Sequence, residues 1–439
     1  MKNFLKRCLV WVLLQEARLV VRKYRPKIIA VTGSVGKTST KDAIFAVVAA
    51  GHYVRRSDKS FNSEIGVPLT ILGCPNAWSN PFAWLQNLLD GLLLSITPAR
   101  YPEWLVLEVG ADRPGDISSL ARWLPVDIAV ITRLPEVPVH VEYFKSVDAV
   151  VEEKASIINA LRPGGTLVVY ADNHTQLLRE RAEKHGANVV TFGFDGEADL
   201  RGSNFAPLLE TEAGKGSHPI GMSSTITIRS TMSGSMSAPL STLGVIGSHA
   251  ILSPLAAAAV GSVLGMSLED TVAALGSYEP PHGRMHLLPG IKGTCIIDDT
   301  YNSSPAAVEA ALNTLATLKG RRAAVLGDML ELGRHSVDEH RKAGALVAKT
   351  ADVLVTVGFR ARDIAQGALD NGMQDDDIFQ FEDAARAGEA VAAMLQSGDV
   401  VLVKGSQSIR LERVVELLLV DPSRAPELLV RQDAEWKRR

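Results

Sequence analysis

The hydrophobic residues of this chain gather into short continuous runs, and stretches with a helical spacing of apolar positions follow them. The first runs are "KIIAVTG" (27–33), "WLVLEVG" (104–110), "DIAVIT" (127–132) and "GTLVVYAD" (165–172). A continuous apolar run of this length predicts a strand that is buried on both faces. Because such strands alternate with helices, the sequence predicts an α/β fold with a mostly parallel sheet covered by helices.

The pattern changes between residues 200 and 245, where Ser, Thr and Gly accompany alternating segments such as "STITIRS". Alternation of this kind predicts a small antiparallel patch. After "EPPHGRMH" buried strands again alternate with helical stretches, and these strands are "TCIIDDT", "RRAAVLGD", "DVLVTVG" and "DVVLVKGS". The sequence therefore predicts a second, Rossmann-like α/β domain over 284–439, with a hinge at 280–283 that joins it to a central domain over 28–283.

The segment 1–27 is basic and is predicted to form a short amphipathic helix. Its basic residues are Lys2, Lys6, Arg7, Arg18, Arg22, Lys23, Arg25 and Lys27, and its single acid is Glu16. The apolar run "CLVWVLL" is too short to span a bilayer and no cleavage site follows it. Two alternatives remain: residues 1–25 make peripheral contact with an anionic membrane surface, or the helix packs on its own domain or a partner.

Composition narrows the class of protein. With 439 residues, 46% of them hydrophobic, and a net charge of −3, the chain is predicted to be a globular protein of two or three domains. Balanced charge argues against nucleic acid as a partner. The three cysteines, Cys8, Cys74 and Cys295, stand far apart and form neither a disulfide framework nor a zinc motif. A reducing cytoplasm is the expected setting.

A glycine-rich loop follows the first strand. Gly33, Gly36, Lys37 and Thr38 give the pattern G-x-x-G-K-T, with Val31 at the position of the first glycine of the longer phosphate-loop motif. Ser34 and Ser39 complete the loop. Glycines let backbone N–H groups surround phosphate oxygens, the lysine reaches the β- and γ-phosphates, and the threonine hydroxyl ligates Mg²⁺. The loop predicts an ATP and Mg²⁺ site; the alternative is an ordinary strand-to-helix turn.

Three further residues are candidates for this chemistry. Glu108 closes a buried strand, where a metal-binding carboxylate is expected, although it could also be a capping acid. His140 follows the next strand by a short loop, where a histidine is often only solvated. Lys154 falls in the apolar stripe of the helix predicted over 146–161, together with Val151 and Ile158. A buried lysine side chain is paired, neutral or chemically modified, and an amine with a lowered pKa can react with CO₂. The alternative is that the aliphatic part of the side chain lies in the apolar stripe while its ammonium group reaches solvent.

The chain resembles the Mur ligases in these and further motifs. The matching stretches are "VTGSVGKTSTK", "FNSEIGVPLTIL", "LEVGADRPGDI", "GSHAILSPLAAAAV", "GRMH", "IIDDTYNSSP", "VLGDMLELGRHS" and "VLVKGSQSIRLE", together with the pair His140 and Lys154. They run in family order from about residue 28 to the C-terminus. Folylpolyglutamate synthase and cyanophycin synthetase share the fold and loop, but "DDTYNSSP" and "LGDMLELG" are more particular to the members that add D-alanyl-D-alanine.

The resemblance implies an ATP-dependent amide ligase of peptidoglycan biosynthesis, in which a peptide-precursor carboxylate attacks ATP to give an acyl phosphate that an amino acid or dipeptide then displaces. It implies that Lys37 stabilises the transferred phosphoryl group. It also implies that Thr38 and Glu108 hold one Mg²⁺ and that His140 helps to hold a second. Lys154 matches the lysine that is carbamylated in several members, a change that would turn the amine into a carboxylate facing the metal.

The resemblance also assigns residues of the second domain. Those that match positions closing over ATP are Arg284, Asp299, Tyr301 and Asn302. The substrate candidates are Asn62, in "FNSEIG", and Asp328 and Lys404, which lie in "GDMLELG" and "KGSQS".

The chain departs from the family pattern in two places. Sugar-nucleotide ligases of this family begin with a domain that grips the UDP portion, and only about thirty residues precede the glycine loop here, so the sequence predicts that this domain is missing. The residues around His140 and Lys154 also differ from the usual "AHLE" and "KGEI". The alternatives are a ligase for a lipid-linked or polymeric acceptor, similar to poly-γ-glutamate synthase, and a non-ligase ATP-dependent scaffold or ATPase switch.

Overall fold

The protein folds around two β-sheets. The computed structural model describes residues 2–58, 64–78, 80–138, 140–212, 216–229 and 235–438. The strands of the first sheet are β1 (Lys27–Thr32), β2 (Val54–Arg56), β3 (Trp104–Glu108), β4 (Val126–Ile131), β5 (Leu161–Tyr170), β6 (Asn188–Gly193), β7 (Leu200–Glu212), β8 (Gly216–Ile228) and β9 (Met236–Leu243). Those of the second are β10 (His286–Pro289), β11 (Cys295–Asp299), β12 (Arg322–Gly327), β13 (Val353–Val357), β14 (Ile378–Phe381) and β15 (Val400–Lys404).

The helices cover these sheets. Those of the first part are α1 (Lys2–Tyr24), α2 (Lys37–Ala49), α3 (Gly66–Leu72), α4 (Pro81–Ile96), α5 (Asp116–Ala121), α6 (Val147–Ala155), α7 (Thr175–Lys184), α8 (Leu252–Val263) and α9 (Leu268–Leu275). Those of the second part are α10 (Pro305–Ala316), α11 (Ser336–Thr350), α12 (Arg362–Asp370), α13 (Ala384–Met394), α14 (Glu412–Leu418), α15 (Ala425–Leu428) and α16 (Ala434–Lys437).

Both sheets are mostly parallel, as the sequence predicts. The first has the order β2-β3-β1-β4-β5-β6-β7-β8-β9, and only the pairs β7–β8 and β8–β9 are antiparallel. The second has the order β10-β11-β15-β12-β13-β14, with β10 antiparallel at one edge. The antiparallel strands predicted between residues 200 and 245 are present as β7, β8 and β9, and they extend the parallel sheet.

The first sheet has an apolar layer on each face. Ile29 and Val31 of β1 belong to the cluster that contains α2 and α8, whereas Ile28 and Ala30 belong to the cluster that contains α1 and α3. Successive side chains of a strand point to opposite faces, so a strand covered on both sides must be apolar at every position. This explains the continuous hydrophobic runs.

The N-terminal helix packs on its own domain through its apolar side. Leu13, Ala17, Val20 and Val21 of α1 are buried in the cluster that also holds α3. The same helix contacts α4, where Lys23 Nζ donates to the carbonyl of Leu94 at 2.9 Å. No helix in the described ranges is long and apolar enough to cross a membrane.

Several elements differ from the sequence-based expectation. The helix expected to run from 146 to 161 is shorter, because α6 ends at Ala155, a 3₁₀ turn follows over Ser156–Ala160 and Leu161 begins β5. The strands β2, β6, β10 and β14 and the helix α4 are not predicted by the apolar runs quoted above. Most of these strands are short or lie at sheet edges, where continuous burial is not required.

Candidate active site

A cavity of about 950 Å³ lies at the carboxyl ends of the central strands and is lined by both halves of the chain. The loop after β1 and the residues after β3 and β4 form one wall, and the loops after β11 and β15 form the opposite wall. Ligands of open α/β sheets bind at this edge, so the position agrees with the predicted nucleotide site.

The glycine loop turns sharply from β1 into α2. Gly33 has φ 136° and Gly36 has φ 83°, and both values favour glycine. A Cβ atom on Gly33 would lie 2.0 Å from Oγ1 of Thr132, so a side chain there would also clash. Helix α2 begins at Lys37, and its N-terminal N–H groups and positive dipole end lie at the cavity.

Two lysines converge on one backbone oxygen of this loop. Nζ of Lys37 donates to the carbonyl of Gly33 at 3.1 Å, and Nζ of Lys154 donates to the same carbonyl at 3.0 Å. Lys154 is 1% exposed, so of the two alternatives left open by the sequence the structure shows the buried one. Burial, together with the nearby charge of Lys37, lowers the pKa of Lys154 to about 7. Burial also lowers the pKa of Lys37, while the Glu108 carboxylate raises it.

Oxygen ligands and buried hydroxyls surround the same loop. Thr38 and Glu108 both line the cavity, and Glu108 is buried at the end of β3. The hydroxyls of Ser34 and Thr132 are buried and have no hydrogen-bond partner within the described part of the chain. A buried hydroxyl without a hydrogen-bond partner lowers the stability of the fold, and phosphate oxygens would accept hydrogen bonds from both groups. These hydroxyls therefore suit a phosphate-bearing ligand.

His140 joins the two halves of the protein. Its Nδ1 lies 2.6 Å from Oε2 of Glu331, which belongs to the second half, and its Nε2 lies 3.5 Å from Oδ1 of Asp112. The proximity of His140 lowers the pKa of Glu331. Neither Asp112 nor Glu331 was singled out from the sequence, although both lie in quoted motifs. The two acids lie on separate loops, so the spacing of residues along the sequence does not show that they meet His140.

Arg284 crosses the cavity from the second half. Its Nη2 donates to Oγ1 of Thr38 at 3.0 Å, and its guanidinium lies over the ring of Tyr301 with 4.2 Å between Cζ and the ring centroid. Its Nε is buried without a hydrogen-bond partner in the described ranges. Arg284 therefore links the glycine loop to the wall that carries Tyr301.

Asp299 and Lys404 form a buried ion pair on that wall. Nζ of Lys404 lies 2.6 Å from Oδ2 of Asp299 and also donates to the carbonyl of Asn302 at 2.9 Å. All three residues line the cavity. The amine of Lys404 thus orients Asp299 and the loop that carries Asn302.

Of the other two substrate candidates, the structure describes Asp328, which does not line the cavity. Asp328 is buried, and its Oδ1 accepts a hydrogen bond from N–H of Ala361 at 2.8 Å; it is absent from the cavity lining. This carboxylate holds the loop after β13. Asn62 lies outside the described residues.

The cavity lining contains further residues that were not selected from the sequence. They include His249, Tyr278 and Trp436. Burial lowers the pKa of His249 to about 4, so this imidazole is neutral near pH 7. His249 lies in the quoted motif "GSHAILSP", which could have drawn attention to it. Trp436 reaches the cavity from the C-terminal end of the chain and lies in none of the quoted motifs.

The glycine loop, its paired lysines and the facing α/β half define an ATP-dependent ligase, and the chain belongs to the Mur ligase family. Residues 87–261 match the Mur ligase middle domain, and residues 283–407 match the Mur ligase glutamate ligase domain. The protein is an ATP-dependent carboxylate–amine ligase that releases ADP. The family and the fold predicted from the sequence are confirmed.

Three similar proteins are named as ligases. The UDP-N-acetylmuramoyl-tripeptide–D-alanyl-D-alanine ligase of Bacillus subtilis is 29% identical over 411 residues, which cover 93% of this chain and 79% of the relative. The ligase of that name from Mycobacterium tuberculosis H37Rv is 30% identical over 417 residues, which cover 90% and 73%. The crystal structure of MurF ligase from Thermotoga maritima in complex with ADP has a TM-score of 0.73 and 25% identity, and covers 93% of this chain and 83% of that chain.

Proposed function

We propose that this protein joins D-alanyl-D-alanine, or a similar amine, to the carboxylate of a peptidoglycan-precursor peptide with conversion of ATP to ADP and phosphate. The names of the relatives support this choice of substrates. The observation that carries the proposal is the arrangement of Lys37 and the buried Lys154 on the carbonyl of Gly33, opposite Arg284 and the Asp299–Lys404 pair.

The reaction follows from this arrangement in two steps. The acceptor carboxylate attacks the γ-phosphorus of ATP, the bond to the β–γ bridging oxygen breaks, and ADP leaves. Lys37 and the first N–H groups of α2 stabilise the negative charge of the transferred group, since a cation and a helix N-terminus both favour anions. The amine then attacks the acyl phosphate, and phosphate leaves as the amide forms and a proton is lost.

The residues around the loop fit Mg²⁺ ions only together with the nucleotide. Among the described residues, no three His, Cys, Asp or Glu side chains come together as a metal site. Mg²⁺ is commonly held by one or two carboxylates plus substrate phosphates, so Thr38 and Glu108 suffice for one ion and His140 would help to hold a second. The metal would neutralise charge on the phosphate oxygens.

We propose that Lys154 becomes carbamylated. Its pKa of about 7 leaves much of the amine neutral at neutral pH, and the neutral form attacks CO₂. An N–C bond forms as one C–O π bond of CO₂ opens, and one proton leaves the nitrogen, which turns the neutral amine into an anionic carbamate beside Lys37. A carbamate resonance from ¹³C-bicarbonate that Lys154→Ala abolishes would support this assignment. Restored activity of Lys154→Ala with short carboxylates would support it further, and failure of both would contradict it.

The central test is phosphate release from ATP and Mg²⁺ with and without D-alanyl-D-alanine and UDP-N-acetylmuramoyl-tripeptide. A ligase releases phosphate only when both substrates are present, whereas a scaffold or ATPase switch does not depend on the amine. We expect Lys37→Met to abolish turnover and Lys145→Met, which removes an exposed lysine, to leave it unchanged. Amine-independent phosphate release by the wild type would contradict the proposal.

We also propose that the enzyme works in the cytoplasm at the inner face of the membrane, held there through residues 1–25. The outward side of α1 carries the exposed residues Arg7, Trp11 and Arg22, a combination suited to an anionic lipid surface. This observation favours a second candidate acceptor, a lipid-linked or polymeric carboxylate. Turnover with a lipid-linked tripeptide in vesicles, compared with the soluble nucleotide, separates the two acceptors.

A further inference from the structure

The helix α4 turns an apolar face to solvent. Its exposed large hydrophobic residues are Phe82, Leu85, Leu89, Leu92, Leu93 and Ile96. They recur at helical spacing and form one continuous stripe, and Phe82 is 82% exposed while Ile96 is 68% exposed. Contiguous apolar surface on a folded helix marks an interaction site, because scattered hydrophobic residues do not align in this way.

This face is held rigidly outward by the packing of the opposite face. Trp84 and Leu88 pack against the cluster that holds α1, and Asn80 caps the helix by accepting from N–H of Phe82 and Ala83. Close approach to α1 depends on Gly91, since a Cβ there would lie 2.3 Å from Oε2 of Glu16. Rotation of α4 to hide its stripe would break these contacts.

A cleft rich in arginine lies on the other flank of α1. It has a volume of about 760 Å³, and its lining includes Arg18, Arg22, Arg25, Arg122, Arg162 and Trp123. Arg162 is paired with Asp127 at 2.9 Å, and Arg18 lies over the ring of Trp123. Nε of Arg18 is buried and has no hydrogen-bond partner in the described residues. The other four guanidinium groups have no acidic partner among the described residues, and arginines at this density favour a phosphate-bearing anion.

The cleft is distinct from the active site. Arg25 lies just before β1, Arg122 before β4 and Arg162 at the start of β5, so the cleft sits at the amino ends of the parallel strands. The catalytic cavity lies at their carboxyl ends, roughly 17–20 Å away for strands of ordinary length. The arginines are therefore not part of the nucleotide site.

We infer that the α4 stripe and the arginine cleft together seat this enzyme on an anionic phospholipid bilayer, with α4 inserted among the acyl chains and the cleft holding headgroup phosphates. The inference extends the membrane contact proposed above for residues 1–25 and adds α4 as the inserted element. Helix α1 contacts α4 and also supplies Arg18, Arg22 and Arg25 to the cleft, so it connects the two features. Charge complementarity favours anionic lipid over a second copy of the chain, because two such arginine-rich surfaces would repel each other.

The first test measures binding of the full chain to vesicles by flotation, with phosphatidylcholine alone or with added phosphatidylglycerol. We expect binding only when phosphatidylglycerol is present. Phe82→Glu and Leu89→Glu should each weaken it about tenfold or more, since a large buried side chain contributes more than a factor of ten. The matched control is Leu209→Glu, which changes a leucine on β7 that is 59% exposed against 53% for Leu89 and should leave binding unchanged.

The second test addresses the cleft. Arg22→Gln and Arg122→Gln remove exposed guanidinium groups and should each weaken vesicle binding about fivefold, with a loss that shrinks as salt rises. Competition by inorganic phosphate at concentrations comparable to those of the lipid would assign the cleft to free phosphate and overturn the headgroup assignment. Lipid-independent dimerisation that Phe82→Glu abolishes would assign the stripe to a second copy instead.

Turnover on the soluble acceptor without vesicles separates this inference from the proposed ligase activity. The four variants should retain wild-type phosphate release, because none of these residues lines the catalytic cavity. Loss of vesicle binding with intact turnover supports the docking surface. Wild-type protein that turns over but binds no vesicle refutes the docking surface alone.

Discussion

Replacement of Glu16 by glutamine should stabilise the protein at high pH and not at low pH. Glu16 is the single acid of the basic segment 1–27 and is 7% exposed between α1 and α4. Its Oε2 has no hydrogen-bond partner in the described part of the chain. Burial raises the pKa of this carboxyl from 4.5 to about 7. The folded protein therefore prefers the protonated acid, and glutamine offers a neutral group of nearly the same shape.

The sign and size of the effect follow from proton linkage. A carboxyl whose pKa is higher in the folded state binds more protons there, so stability falls as pH rises from 4.5 to about 7 and then levels off. The difference between these pKa values corresponds to about 3 kcal/mol in the free energy of unfolding. Glu16→Gln removes this cost, and the expected gain is about 3 kcal/mol at pH 8 and close to zero at pH 4.

Urea unfolding at pH 4 and pH 8 measures this difference directly. The matched control is Glu183→Gln, which changes an exposed acid on α7 and should alter stability by no more than about 0.5 kcal/mol at either pH. Hydrogen exchange of α1 and α4 shows whether the gain is local to their interface. An equal gain at both pH values would refute the reasoning, because it could not arise from the charge of Glu16.

Two further substitutions test the site. Gly33→Ala places a Cβ 2.0 Å from Oγ1 of Thr132 at φ 136°, so ADP affinity by calorimetry should fall about tenfold or more, whereas Gly51→Ala, with no neighbour within 4 Å, should not change it. Lys404→Met leaves the buried carboxylate of Asp299 unpaired and should lower the free energy of unfolding by about 3–5 kcal/mol in urea. Unchanged affinity or unchanged unfolding would contradict the respective argument.

The parts of the fold that follow from local rules could be predicted from the sequence. The strand that carries Ile28 to Val31 is apolar at each of those positions because both faces of the sheet are covered, and the loop at Gly33 lies directly after it. The burial of Lys154 could be predicted from helical spacing even though its helix ends earlier than expected. These signals depend on residues close together in the chain.

Features that depend on distant segments could not be predicted in this way. The contact between His140 and Glu331 joins residues nearly two hundred positions apart, on loops of different sheets. The arginine cleft assembles from three separate segments, and no local pattern marks it. Helix α4 would be taken from its sequence for a buried helix, because periodicity does not say whether an apolar face meets the core or solvent.

The contacts across the cavity explain why the chemistry needs both halves of the chain. The central half supplies the loop and the two lysines. The second half supplies Arg284, whose guanidinium donates a hydrogen bond to the hydroxyl of Thr38 in that loop. Glu331 likewise reaches His140 from the second half. Separation of the halves would remove both contacts at once. The arrangement of Thr38 and His140 seen here therefore depends on the two halves being together.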